Sequence, residues 1–478
     1  MTPGADRTPP SAARAVAGNA LAQAAGKAVV LGVGAASIAV TTRYLGATGY
    51  GHFALALALL QSVGVLADAG LTTVVVREGS RTPARLAELI GNALAIRLLL
   101  APVVVAVAAV LANVPDYGPD VPTAVLIASA PFVMGIVSSS LAALFQVRLQ
   151  MGRATLADAL GRVASFGALL AVVAADLGFE AVVASTAVGA AVTLAITLAF
   201  ALRAVRVRLA ADRAVWRELA VAAVPLGLTL AVNELYFRAD TLILSLSRPA
   251  SDVGYYSLAY RLYELLALLP AVVMTTVFPL LSRRLAEDRA AAERTLRATG
   301  RAFWALGVPL AAGGIVIAPE LARFVGGEQF AGAADPVRLL LCAAVLAYLS
   351  GLYGYALIAG GLQRLTLWLS VAALIVNVAL NVALAPEYGP TASAAIALGT
   401  EGLLLVGGWV FVQRRLALRP TPERPLPPVI AAVAMAAVIW PLRERTPALT
   451  VPLGALVYGL VLWASGGIDR QTLEALRR

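Results

Sequence analysis

The sequence contains few of the residues on which soluble catalytic and metal sites depend. It has one cysteine, Cys342, and one histidine, His52, so neither a disulfide nor a Cys/His zinc site can form within the chain. A lone histidine gives no credible Ser/His/Asp arrangement, and no phosphate-binding loop pattern occurs. We therefore predict a protein that is not an enzyme and that carries no metal or cofactor.

Charged residues are also scarce. They make up 13% of the 478 residues, whereas hydrophobic residues make up 60%. Soluble domains carry about 25% charged residues, so this chain has too little polar surface to cover a water-facing globule. The net charge of +10 comes from arginine, since Lys27 is the one lysine. The arginines lie in short loops between apolar runs, which indicates membrane orientation and predicts no nucleic-acid partner.

Long apolar runs account for most of the chain. A membrane-spanning helix needs about 20 mostly apolar residues. On this basis the sequence predicts an all-α polytopic membrane protein with about fourteen transmembrane helices. The helices are expected at residues 18–42, 50–76, 86–113, 121–146, 153–175, 180–202, 217–247, 253–281, 299–322, 336–360, 364–385, 390–413, 428–442 and 448–465.

The loop arginines predict the orientation of these helices. With the N-terminus inside, most loop arginines fall on the inner side of the membrane, as the bias of Lys and Arg toward the cytoplasm requires. The outer loops hold only Arg43, Arg248, Arg323, Arg338, Arg443 and Arg445. We therefore expect a multi-pass protein of the plasma (inner) membrane with both termini in the cytoplasm and an uncleaved first helix.

A short repeat predicts how the helices are grouped. Residues 51–56 (GHFALA) and 254–259 (GYYSLA) open the second and eighth predicted helices in the same direction. Parallel repeats of this kind are typical of transporters built from two bundles. We expect two pseudo-symmetric six-helix bundles followed by two further helices. The predicted boundaries are a cytoplasmic tail at 1–17, bundles at 18–203 and 217–413, cytoplasmic linkers at 204–216 and 414–427, helices 13 and 14 within 428–465, and a cytoplasmic tail at 466–478.

Ionisable residues interrupt several of the apolar runs. Such residues are costly in a bilayer and usually face a cavity or a partner. Three sets could neutralise each other along one helix, at spacings of three or four residues. These are Asp158 with Arg162, Glu234 with Arg238, and Arg261 with Glu264. Lys27, Arg97 and Glu401 have no such local partner, which favours a functional role.

The basic members of this set suit an anionic substrate. Arg238 and Arg261 are predicted at matching depths, roughly 12–14 Å below the outer surface at about 1.5 Å of rise per residue. Guanidinium groups bind phosphate oxygens in a two-pronged manner, so a phosphate or pyrophosphate would fit. The candidate substrate-binding residues in a central cavity are Lys27, Arg97, Arg238 and Arg261. The candidates for coupling a proton or Na⁺ are Asp68, Asp240 and Glu401.

Three motifs resemble those of a known family. Residues 43–53 (RYLGATGYGHF) resemble the R-x-L-G-x-x-x-[YF]-G signature that follows the first helix of polysaccharide (O-antigen type) flippases. Residues 68–71 (DAGL), with the Arg-Glu pair at 77–78, resemble the end of their second helix. Residues 238–240 and 253–259 resemble their seventh-to-eighth helix segment. The resemblance covers about residues 40–410 and extends to the superfamily of multidrug, oligosaccharidyl-lipid and polysaccharide exporters.

The resemblance implies a transporter that works by alternating access. Its expected substrate is a polyprenyl-pyrophosphate-linked oligosaccharide, moved from the inner to the outer leaflet for synthesis of O-antigen or exopolysaccharide, with ion coupling. A polysaccharide polymerase or a glycosyltransferase would then be a partner. One alternative is a cation-coupled multidrug or small-molecule antiporter. Another is a peptidoglycan lipid-precursor flippase, whose basic residues lie in helices one, two and eight; Lys27 and Arg261 match the first and last, but helix two has no basic residue.

Overall fold

The computed structural model describes residues 10–205, 207–420 and 424–467. In this part of the chain all regular structure is helical, which confirms the all-α prediction. The helices are α1 (Pro10–Asp68), α2 (Leu71–Arg81), α3 (Leu86–Asn113), α4 (Asp120–Val147), α5 (Met151–Ala174), α6 (Gly178–Ala204), α7 (Arg213–Ser247), α8 (Ala250–Glu287), α9 (Arg289–Gly326), α10 (Ala334–Ala359), α11 (Gln363–Arg415), α12 (Leu426–Ile439) and α13 (Pro447–Ala464).

Two of these helices are broken by a glycine. Gly46 in α1 has φ 67° and ψ −177°, and Gly389 in α11 has φ 62° and ψ −147°. Only glycine adopts such a backbone at little cost, because it has no Cβ. The breaks fall where the apolar runs end in sequence, between residues 42 and 50 and between residues 385 and 390. Each long helix therefore consists of two segments.

The helices have the length and composition of membrane spans. Within the described residues, eleven helices are long and apolar enough to cross a membrane, and Leu426–Leu442 is a shorter apolar helix. Val29–Arg81 and Gln363–Arg415, which contain the two glycine breaks, each count once in that number. The chain is thus a multi-pass membrane protein. The number fourteen and the cytoplasmic position of both termini stay predictions.

The first compact unit comprises Met1–Leu45 and Leu55–Glu234. One hydrophobic cluster of this unit joins α3, α4 and α7 through Leu89, Ile90, Leu144, Phe145 and Leu219, which are all fully buried. Burial of such side chains stabilises the packing of helices within the unit. In the connector before α7, the backbone N–H of Asp212 donates to Oδ1 of Asn92 on α3 at 2.9 Å. This hydrogen bond holds the end of the connector against α3.

The second compact unit comprises Gly46–Ala54 and Leu235–Arg478. Its core includes Phe303 of α9 and Tyr348 of α10, whose rings meet edge to face at 6.0 Å. The predicted domain boundaries, including the linker at 204–216, stay predictions.

Close helix crossings that involve glycine occur among the described residues of both units. In the second unit, Gly51 of α1 packs against Gly254 of α8, so the first residues of the two repeated hexapeptides meet. In the first unit, Gly70, which precedes α2, packs against Gly227 of α7. Small residues allow helix backbones to approach closely in a membrane. The short repeat thus marks a packing contact.

Candidate functional site

A partly buried ion pair lies in the first unit, at the end of α1. The helix ends at Asp68 because Ala69 and Gly70 adopt positive φ values of 39° and 81°. The Asp68 carboxylate accepts hydrogen bonds from the backbone N–H and the hydroxyl of Thr72, at 3.4 and 2.8 Å. It also forms an ion pair with Arg97 of α3, whose side chain is only 3% exposed. Arg97, predicted to bind substrate, and Asp68, predicted to couple an ion, are therefore direct partners.

Hydroxyl groups complete the surroundings of Arg97. Its guanidinium donates to the hydroxyl of Ser140 at 2.6 Å and to that of Thr72. A buried guanidinium without an opposite charge would carry a large desolvation cost, which the Asp68 carboxylate offsets. Any anionic ligand at Arg97 would have to replace this carboxylate. The predicted roles of Arg97 in substrate binding and of Asp68 in ion coupling stay predictions.

The second unit contains a cluster of two arginines and one glutamate. Glu264 of α8 binds Arg238 of α7 through Oε1 at 3.4 Å and Arg261 of α8 through Oε2 at 2.7 Å. Arg261 also donates a hydrogen bond to the hydroxyl of Tyr50. The side chains of Arg238, Glu264 and Arg261 are 17%, 29% and 32% exposed, so the cluster is only partly buried. We call Arg238, Glu264 and Arg261 the arginine–glutamate cluster.

A cavity in the second unit brings together two buried carboxylates. Asp240 of α7 accepts hydrogen bonds from the hydroxyl of Tyr256 at 2.5 Å and from Nδ2 of Asn381 at 2.8 Å. Glu401 of α11 accepts hydrogen bonds from three hydroxyls, those of Tyr236, Tyr263 and Ser350, at 3.3, 3.3 and 3.0 Å. Asp240 and Glu401 line the same cavity of about 20 Å³, whose wall also includes Asn377.

The tyrosines form a continuous row on one face of α8. Tyr256 stacks on Tyr260 with ring centroids 5.9 Å apart, and Tyr260 lies 5.5 Å from Tyr263. Steps of four and three residues place side chains on the same helix face. Tyr256 and Tyr263 each donate to one of the two carboxylates, so this face of α8 positions both acids.

Most of the groups around these acids could not be predicted from the sequence. Asn377 and Asn381 lie four residues apart in an apolar stretch of α11, and this spacing of buried amides was the available signal. Oδ1 of Asn381 is buried and accepts no hydrogen bond among the described residues. Lys27 belongs to α1, and its side chain lies outside the described residues.

Arg238 also has a carboxylate partner on the next helix, which helical spacing alone does not predict. This partner is Glu264 of α8, whereas the i,i+4 spacing concerns only Glu234 on the same helix. Two of the local pairs considered in sequence are present. Asp158 lies 3.6 Å from Arg162, and Glu264 lies 2.7 Å from Arg261. Helix packing thus turns one local pair into a three-residue cluster.

Comparison with known proteins gives a family and a fold. The family model described as polysaccharide biosynthesis protein matches residues 16–284, and the MatE model matches residues 225–383. The chain is 27% identical over 264 residues to the probable flippase AglR of Haloferax volcanii. That match covers 50% of this chain and 53% of AglR, so it spans about half the length of that relative.

Solved structures share the fold at low sequence identity. The inward closed conformation of the lipid II flippase MurJ has a TM-score of 0.78 and 12% identity, over 94% of this chain and 99% of that one. A multidrug resistance MATE family transporter of the MOP superfamily, in its inward-facing conformation, has a TM-score of 0.64 and 15% identity, over 81% and 94%. At these identities the similarity is one of fold.

Proposed function

Because the chain belongs to the polysaccharide biosynthesis protein family, we propose that it is a flippase for a lipid-linked saccharide. The proposed substrate is a polyprenyl-pyrophosphate-linked oligosaccharide, which moves from the inner to the outer leaflet of the plasma membrane by alternating access. The product would feed the synthesis of a surface polysaccharide such as O-antigen or exopolysaccharide. A polymerase or a glycosyltransferase that uses the same lipid-linked sugar is the proposed partner.

The observation that carries this proposal is the arginine–glutamate cluster. Arg238 and Arg261 come from neighbouring helices, and both remain partly exposed. Each guanidinium group has five N–H donors, more than a shared carboxylate can accept. Guanidinium geometry matches phosphate oxygens, so a pyrophosphate is a suitable ligand for this pair.

Ion coupling is assigned to the cavity that Asp240 and Glu401 line. Carboxylate, amide and hydroxyl oxygens surround a space that fits one small ion or water molecule and is far too small for a sugar. Protonation of a buried carboxylate, or binding of Na⁺ beside it, would remove an uncompensated charge from the membrane interior. We propose that one of these events accompanies each transport cycle.

The direct test uses proteoliposomes that contain a fluorescent polyprenyl-pyrophosphate oligosaccharide. Leaflet accessibility is followed with a membrane-impermeant quencher for wild type, Arg238→Ala, Arg261→Ala and Arg97→Ala. We expect wild type to flip the lipid and the first two substitutions to reduce the rate at least tenfold. Arg162→Ala, which removes an arginine from the local pair on α5, is the matched control. Absence of flipping by folded wild type, with or without an ion gradient, would reject the proposal.

An antiporter of the multidrug type is the second candidate. The MatE match at residues 225–383 includes Asp240 and both asparagines beside it, which favours a cation-coupled exchanger. This function would require the carboxylates and tolerate loss of Arg238 and Arg261. Drug-susceptibility profiles of a deletion strain, complemented with the same variants, separate it from the flippase. Lipid II in the proteoliposome assay tests the third candidate, a peptidoglycan-precursor flippase.

A further inference from the structure

Glu264 has so far been given no role of its own in substrate binding or in ion coupling. Its two carboxylate oxygens contact different arginines, Arg238 from α7 and Arg261 from α8. It therefore occupies the place between the two guanidinium groups where a bridging phosphate would bind. The side chain is 29% exposed, so it is not locked in by burial.

We propose that Glu264 is a displaceable counter-ion that holds the anion site of the empty transporter and is displaced by the substrate's pyrophosphate. This inference rests on the proposed function and adds a residue that determines both specificity and turnover. A ligand with a single negative charge only replaces Glu264, whereas a pyrophosphate brings additional charge to both arginines. The cluster thus selects polyanions.

The same residue assists the return of the empty transporter. Guanidinium groups in the membrane interior carry a large desolvation cost, which a bound carboxylate reduces. Glu264 offsets this cost by binding both arginines whenever the substrate leaves. Competition from Glu264 also weakens substrate binding, which speeds release. Removing the charge of Glu264 should therefore strengthen anion binding. It should also slow the return of the transporter without substrate.

The first measurement is calorimetric titration of inorganic pyrophosphate into the detergent-purified protein. We expect Glu264→Gln to bind about tenfold more tightly than wild type, which corresponds to about 1.4 kcal/mol. The side chain of Glu264→Asp is too short to contact both arginines. Its affinity for pyrophosphate should therefore lie between those of wild type and Glu264→Gln. Glu320→Gln removes a carboxylate from an i,i+3 pair with Arg323 on α9 and should leave affinity unchanged. Equal or weaker binding by both folded Glu264 variants overturns the inference, as does the failure of wild type to bind pyrophosphate.

The second measurement compares net flipping with exchange in proteoliposomes. Net flipping requires the empty transporter to return, whereas exchange between leaflets that both contain substrate does not. Glu264→Gln should lower the ratio of net flipping to exchange at least fivefold, and a purely structural role would lower both rates together. If wild type flips lipid-linked sugar but the ratio is unchanged, the inference fails and the proposed function stands. If no lipid is flipped but Glu264→Gln binds pyrophosphate more tightly, the proposed function fails and the anion site stands.

Discussion

Gly51 and Gly254 lie backbone against backbone where the second segment of α1 crosses the start of α8. A Cβ added at Gly51 would overlap the carbonyl oxygen of Ala250, and one added at Gly254 would overlap that of Ala47. Both carbonyl oxygens belong to the backbone, so they cannot rotate away as a side chain could. The crossing therefore depends on both residues being glycine.

Substitution of either glycine should destabilise the protein. Gly254→Ala is expected to cost about 1–3 kcal/mol, because the methyl group forces two helix backbones apart. Thermal unfolding of the detergent-solubilised protein measures this change. The control is Gly351→Ala in α10, where a Cβ meets no atom within 4 Å. Equal stability of Gly254→Ala and Gly351→Ala would contradict the close crossing.

The Asp68–Arg97 pair should be far more important for stability than an ion pair at the surface. Asp68→Ala leaves the buried Arg97 guanidinium without a carboxylate, which typically costs about 3–5 kcal/mol. Glu218→Ala removes an exposed partner of Arg85, and exposed pairs of this kind contribute little to stability. Denaturation of both variants in the same detergent gives the comparison. The double variant Asp68→Ala with Arg97→Met should recover most of the loss, and a double variant no more stable than Asp68→Ala would refute this account.

The carboxylates of the small cavity should control the response to an ion gradient. Asp240→Asn and Glu401→Gln remove the charges to which Na⁺ or a proton would bind, so stimulation of flipping by either gradient should disappear. Flipping rates with and without an imposed gradient in proteoliposomes test this expectation. Asp335→Asn, at an exposed pair with Arg338, is the charge-matched control and should respond like wild type. Retention of full stimulation by both cavity variants would place coupling elsewhere.

Tyr458 joins α13 to α9 through one hydrogen bond. Its hydroxyl donates to the backbone carbonyl of Ala305 at 2.6 Å. Tyr458→Phe should lower the free energy of unfolding by about 0.5–1.5 kcal/mol, because the ring packing is kept and only the hydrogen bond is lost. Thermal unfolding provides the measurement, with Tyr388→Phe at an exposed position as control. A larger loss from Tyr388→Phe would argue against this contact.

Several features of the fold could be predicted from sequence because they depend on local properties. The apolar runs predict where helices occur, since each run alone must satisfy its backbone hydrogen bonds in a membrane. Breaker residues around Gly46 and Gly389 predict interruptions that the structure places at those glycines. The Arg261–Glu264 and Asp158–Arg162 pairs follow from helical spacing alone.

Residue order alone therefore predicts an all-helical membrane protein, its family resemblance and the set of charged residues worth testing. Tertiary structure alone decided which of those charges meet. Arg97 pairs with Asp68, and Glu264 joins Arg238 to Arg261, across contacts between different helices. The amides of Asn377 and Asn381 come beside Asp240 in the same way. Helical periodicity fixes only the neighbours within one helix. The partner of a buried charge depends on how different helices pack, and residue spacing along the chain does not predict that packing.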